Sequence, residues 1–236
     1  MADSDRGDAL TATVPPARES DVTPSATRAL RSDGGDRAPP TTDADDAVRV
    51  VAVCGSLREG SVTRVALRHA LDGAADLGAE TDLVDLRHLD LPVYDADSDP
   101  AGDAAELTRR VRDADAVLLG TPMYHGSYAS PLKTALDYCG FDEFENKTVG
   151  LLAVSGGRFP VTALDHLRSV CRALDAWVLP HEAAVPRASD AVADGEFVDD
   201  GLAERVATLG RRAVQYARIE PDPMSFEGGE NVGATD

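Results

Sequence analysis

The 236-residue chain holds 42 Asp and Glu against 23 Lys and Arg, a formal net charge of −19, and 43% of it is hydrophobic, enough for one core. A surface this negative repels phosphate, which excludes nucleic acid and anionic membranes as partners. No run reaches the ~18 apolar residues of a membrane span, and Cys54, Cys139 and Cys171, far apart and without a CxxC pair, argue against a disulfide framework, a zinc site or an iron–sulfur cluster.

The chain opens on a segment, residues 1–47, with almost no apolar periodicity and a Pro- and Asp-rich run from Arg37 to Asp46. Such a segment buries too little apolar surface to offset its chain entropy and is expected to be a disordered acidic tail. It lacks the apolar stretch of a secretory signal, so a cytoplasmic protein is expected. Residues 219–236 are a second expected acidic tail, with Pro221, Pro223, Gly228 and Gly229. Ten acids and five bases in the first segment and five acids in the last leave the core 27 acids and 18 bases, a net charge of −9. The only lysines are Lys133 and Lys147. An Asp-rich, Lys-poor chain of this kind reads either as adapted to high salt, which screens self-repulsion, or as an ordinary acidic protein.

Between the tails, residues 48–218 alternate strand and helix patterns. Val48–Cys54 (VRVVAVC) is a β-branched run of the kind covered on both faces. A helical pattern follows over Ser61–Asp76, stopped by Gly78, and Glu80–Leu86 reads as the second strand. Leu89–Pro100 is an expected loop, Ala104–Arg112 a helix, and Ala116–Gly120 a third strand ended by Pro122. Pro131–Cys139 is a short helix with proline suited to its first turn. Thr148–Val154 is the fourth strand, Val161–Leu174 a helix, and Trp177–Val185 contains the fifth strand. An acidic loop then leads to a closing helix over Leu202–Tyr216.

Five strands alternating with five helices predict an α/β three-layer sandwich, a five-stranded parallel sheet with helices on both faces. Right-handed crossovers make the order 2-1-3-4-5 the common solution at this size. Ligands in such sheets sit beyond the carboxyl ends of the strands, at the switch point between the first and third.

Three loops therefore carry the candidate chemistry. Gly55–Arg64 (GSLREGSVTR) joins a strand to a helix N-terminus, where free N–H groups and the helix dipole favour an anion. Ser56, Ser61 and Thr63 add hydroxyls, and Arg58 and Arg64 add charge. The alternative is an ordinary capped turn. Gly120–Pro131 (GTPMYHGSYASP) offers Tyr124 and Tyr128 as aromatic surface and His125 as a polar edge, with Gly126 permitting close approach to a flat ligand. The same tyrosines also suit plain loop packing. Ser155–Pro160 (SGGRFP) exposes consecutive N–H groups, a nest for carbonyl oxygen or developing negative charge.

Together the segments GSLREGSVTR, TPMYHGSYASPLKTALDY and SGGRFPVTALDHLRSVCRALDAWVLP resemble the NADPH-dependent FMN reductase family of flavodoxin-like proteins, over about Val48 to Val185. The resemblance implies a flavodoxin-like fold, bound FMN, NADPH or NADH as co-substrate, hydride transfer to flavin N5, and a small-molecule electron acceptor. It also implies a homodimer or homotetramer. Carried over to this chain, Ser56, Arg58, Ser61 and Thr63 hold the phosphate. Pro122, Met123, Tyr124, His125 and Gly126 line the isoalloxazine and ribityl chain, and Ser155, Gly156 and Gly157 bond the pyrimidine edge. Thr63, Met123 and His125 stand where the family pattern resembles Asn, Glu and Asn; Thr63 can still donate to phosphate, while Met123 and His125 bear on acceptor and potential more than on FMN binding. No dedicated catalytic acid or base is implied. The competing readings are an electron-carrier flavodoxin that NAD(P)H does not reduce, and an α/β module that has lost its ligand.

Overall fold

The computed structural model describes residues 47–219. The segments 1–46 and 220–236, expected as tails, lie outside the described residues.

Alternation along the central strands decides the layers. In β1 (Arg49–Cys54), Val50, Ala52 and Cys54 face one side of the sheet, and Val51 and Val53 face the other. The first side is covered by α1 (Val62–Ala75) through Ala66, Leu67, Ala70 and Leu71, and by α7 (Asp200–Gln215) through Val206, Leu209 and Ala213. The second side is covered by α2 (Ala104–Arg112), α3 (Ser130–Asp137) and α5 (Val161–Ala173), whose Leu107, Leu132, Leu164 and Leu167 are almost completely buried. Each such side chain is worth about 1.5–3 kcal/mol of transfer free energy, and both faces of the strands are apolar because both are covered.

Between α1 and α2 runs β2 (Glu80–Asp85), followed by a single 3-10 turn at Leu86–His88. β3 (Ala116–Tyr124) lies on the other side of β1, with Val50 aligned to both Thr81 and Ala116. β3 folds back through the two-residue strand β4 (Ser127–Tyr128) before α3, and a short α4 (Phe141–Phe144) precedes β5 (Thr148–Val154). Beyond β5 lie β6 (Trp177–Val178) and β7 (Ala183–Val185), both parallel to it. The order is β2-β1-β3-β5-β6, with β7 also on β5; counting β6 and β7 as one fifth strand, this is the expected parallel order 2-1-3-4-5.

The details depart from the expectation at several points. The third strand does not end at Gly120 but runs through Pro122 to Tyr124. Gly120 and Pro122 point their polar groups to the same side; Gly120 O accepts from Gly55 N (2.8 Å), just past the end of β1, so the N–H that proline lacks falls where no strand is left to use it. The fifth strand is interrupted between Val178 and Ala183, a stretch containing Pro180, which likewise cannot donate to a ladder. The acidic loop contains a four-residue helix, α6 (Ala188–Ala191), and a hairpin, β8 (Val192–Ala193) with β9 (Glu196–Phe197). Its turn residues Asp194 and Gly195 both have positive φ (52° and 88°), the backbone of a two-residue type I′ turn. The strand β4, the helix α4 and the 3-10 turn at Leu86–His88 were likewise not expected.

One contact seats α1. A Cβ on Gly210 of α7 would lie 1.7 Å from the Ala70 carbonyl oxygen, and one on Gly73 of α1 would lie 2.5 Å from the Ala207 carbonyl oxygen. The two helices therefore touch backbone to backbone, which only glycine permits.

Candidate functional site

At the carboxyl ends of β1, β3 and β5 the three candidate loops meet around one cleft of about 590 Å³. The first loop contributes Ser56, Arg58, Gly60, Ser61, Val62 and Thr63; the second, Pro122, Met123 and Tyr124; the third, Ser155 and Gly156. His125, Gly126 and Gly157, also expected at the site, lie beyond its lining.

The first loop is the start of α1. Ser61 is its N-cap, accepting through Oγ from the Arg64 N–H (3.1 Å), and its side chain also hydrogen-bonds with Cys54. Val62 and Thr63 open the helix and have no intrahelical acceptor for their N–H groups. Ser56 and Thr63 are almost completely buried, and among the described residues their hydroxyls take no protein partner. Arg58 is exposed at the rim. Hydroxyls, helix N–H groups and a guanidinium, with no carboxylate among the lining residues, make a donor set for a phosphate-like anion.

Arg64, expected to offer charge to a ligand, instead turns inward. Its Nη1 donates to Asp85 Oδ2 (3.1 Å) and to the Arg58 carbonyl (3.3 Å), and its Nη2 donates to the Glu59 carbonyl.

The second loop is a β-hairpin. Tyr124 pairs with Ser127 and Met123 with Tyr128, and the turn residues His125 (φ 51°) and Gly126 (φ 79°) form another two-residue turn. This conformation accounts for Gly126 and carries His125 to the exposed tip. The hairpin is tied down at several points. Thr121 Oγ1 accepts from the Ala129 N–H (2.9 Å), Thr162 Oγ1 lies 3.5 Å from Met123 Sδ, and Ser127 Oγ meets His166 Nδ1 at 2.9 Å. The result presents Tyr124 half-exposed at the cleft.

In the third loop, Ser155 Oγ donates to the Gly157 carbonyl (2.8 Å), which also accepts from the Arg187 N–H (2.8 Å), while the Ser155 carbonyl accepts from the Ala188 N–H (2.9 Å). These bonds bring the segment after β7 against the loop, and its Ala188, Ser189 and Val192 form a wall of the cleft that the sequence reading missed. No protein atom would come within 4 Å of a Cβ on Gly60, Gly156 or Gly157, so their bareness leaves open space rather than serving the protein's own packing.

None of the three cysteines lines the cleft. Cys54, at the end of β1, and Cys171 are buried and Cys139 is partly so; burial pushes all three thiols up, Cys139 and Cys171 to about 12. His69 stacks edge-on against Phe197 (5.4 Å) and His181 Nε2 meets the Arg205 carbonyl (2.9 Å).

Among the described residues no helix is long and apolar enough to cross a membrane. Residues 48–190 match the model of the family described as NADPH-dependent FMN reductase. An FMN-dependent NADPH-azoreductase of Staphylococcus saprophyticus is 32% identical over 140 residues, covering 56% of this chain and 73% of that protein. Its namesake in Staphylococcus aureus (strain USA300) is 33% identical over 138 residues, with the same coverage of 56% and 73%. Among solved structures, an apo NADH:FMN oxidoreductase superposes with a TM-score of 0.61 at 23% identity, covering 74% of this chain and 92% of that one. A flavoenzyme NAD(P)H:(acceptor) oxidoreductase from Paracoccus denitrificans gives 0.61 at 24% identity, covering 72% and 97%. These structures share the fold described above. None of the matches supports the salt-adapted reading of the acidic composition.

Proposed function

The chain belongs to the NADPH-dependent FMN reductase family and is an FMN-dependent NAD(P)H oxidoreductase, and from that premise we propose that its cleft holds FMN with the phosphate at the start of α1 and the ring between the hairpin and the Ser155–Gly157 loop. What supports this reading is the convergence of three loops on one cleft, with anion donors at one end and the bare Gly156 at the other. Bound FMN supplies the hydride and electron transfer between NAD(P)H and a small acceptor.

The protein's own part is binding, orientation and electrostatics. Ser56, Ser61 and Thr63 donate to the phosphate and Arg58 closes over it from the rim. Pro122, Met123 and Tyr124 form the platform under the ring, and the turn at His125 and Gly126 fixes that platform's shape. The amide of Gly156 is placed to stabilise negative charge on the ring's polar edge; the Ser155 hydroxyl, its proton given to the Gly157 carbonyl, is left to accept. Productive transfer needs reacting atoms at roughly 3–3.5 Å, so holding a flat ring against a fixed platform is most of what this chain contributes.

The acceptor class is a quinone, a free flavin or, as the relatives' names indicate, an azo compound. A homodimer or homotetramer and a cytoplasmic location complete the proposal, the latter in keeping with free thiols.

The test is a visible spectrum of the purified protein with added FMN, before and after anaerobic NADPH. Flavin absorbance that bleaches within seconds supports the reading. Absorbance that resists both NADPH and NADH yet bleaches with dithionite points to an electron carrier, and protein that takes up no flavin overturns the assignment of the cleft.

A further inference from the structure

We propose that Arg64 is the positioning residue of the phosphate cradle, acting through the backbone of the loop rather than by touching the ligand; the inference rests on the reading of the cleft given above. Arg64 belongs to the first turn of α1, yet its side chain is only 10% exposed and its guanidinium reaches back under the loop. There it donates to three acceptors, the carbonyls of Arg58 and Glu59 and the carboxylate of Asp85. Asp85 ends β2, is 11% exposed, and is itself fixed by accepting from the Arg87 N–H at 3.2 Å.

Covalent geometry makes this consequential. In a trans peptide the C=O and the following N–H point in opposite directions. Drawing the carbonyls of residues 58 and 59 down to one guanidinium therefore turns the N–H groups of Glu59 and Gly60 away from it. Gly60 lines the cleft, is exposed, and would leave a Cβ with no neighbour within 4 Å. Arg64 thus orients the peptides that face the anion, and its ion pair with Asp85 anchors the loop to the end of β2. A planar fork with several fixed donors suits this task; an ammonium on a flexible stem does not.

The experiment compares FMN and riboflavin, which differ by the phosphate, in binding to wild type, Arg64→Ala and Arg64→Lys, read by quenching of flavin fluorescence. Arg64→Ala should weaken FMN about tenfold and riboflavin less than about twofold, and Arg64→Lys should weaken FMN about threefold. Should Arg64→Ala fail to fold, Arg64→Lys decides by the same criterion. Equal losses for both ligands in the variants make Arg64 a general structural residue and overturn the proposal, as does full recovery in Arg64→Lys, which would mean that charge alone suffices. A variant that keeps the wild-type preference for FMN removes Arg64 alone. Wild type that binds riboflavin as tightly as FMN brings down the cradle itself, and the role of Arg64 with it.

Discussion

The two ends of the cleft are built differently. At the α1 end the lining hydroxyls of Ser56, Ser61 and Thr63 are nearly buried, and the loop is braced by Arg64 and Asp85 from below. At the hairpin end Tyr124 is 50% exposed, and Phe159 in the neighbouring loop is 76% exposed. The first end is made ready before any ligand arrives, so it loses little freedom on binding; the second is left open, as it must be if two substrates are to reach one ring in turn. Affinity should therefore reside at the braced end, and turnover at the open one.

The strongest way to break that contrast is through the seat of α1. Gly210→Ala places a methyl against the Ala70 carbonyl and should cost about 3 kcal/mol, lowering the melting temperature by roughly 6–12 °C. If the braced end depends on α1, FMN affinity falls with it; a stable variant would mean that the helices part without penalty. Next in size, Arg58→Ala should weaken FMN about tenfold to a hundredfold in a binding titration, through loss of one charge-assisted bond. Unchanged affinity removes Arg58 from the site. Tyr124→Ala, at the open end, should lower kcat/KM about threefold to tenfold in steady-state assays while leaving FMN affinity nearly intact. An affinity loss as large as that of Arg58→Ala would erase the distinction between the ends.

The smallest effect sharpens the contrast from outside. Asp82 also pairs with an arginine, Arg110 (2.6 and 2.8 Å), but at 42% exposure of its side chain, against 11% for Asp85. The hydrogen bonds from Arg110 hold the Asp82 carboxyl below its ordinary 3.8. A depressed acid stabilises the fold above its unfolded value and loses that contribution as pH falls through the folded one. Asp82→Asn should therefore cost less than about 1 kcal/mol at neutral pH, after screening, and the gap to wild type in thermal melts should close below about pH 4. A gap that widens in acid would contradict the pairing.

Most of the framework was legible because periodicity carries it. β1, α2 and β5 follow apolar runs that are covered on both faces or along one stripe, and the loops after β1, β3 and β5 were placed by topology alone. What escaped was local. The turn of the β8–β9 hairpin is an Asp-Gly pair, a strong hairpin signal, but its strands have two residues each, too few for an alternation to show. The same shortness hid α6 and with it the Ala188–Val192 wall. His125-Gly126 was read for its chemistry when its backbone conformation was the stronger message. Spacing put Arg64 on the first turn of α1, yet nothing in spacing tells an inward guanidinium from an outward one; that depended on Asp85 lying at the end of a neighbouring strand.

The three buried thiols have a consequence of another kind. Oxidants attack thiolates far faster than thiols, and burial pushes Cys139 and Cys171 up to about 12, which keeps both protonated at neutral pH. Burial thus holds the cysteines in the less reactive, protonated form.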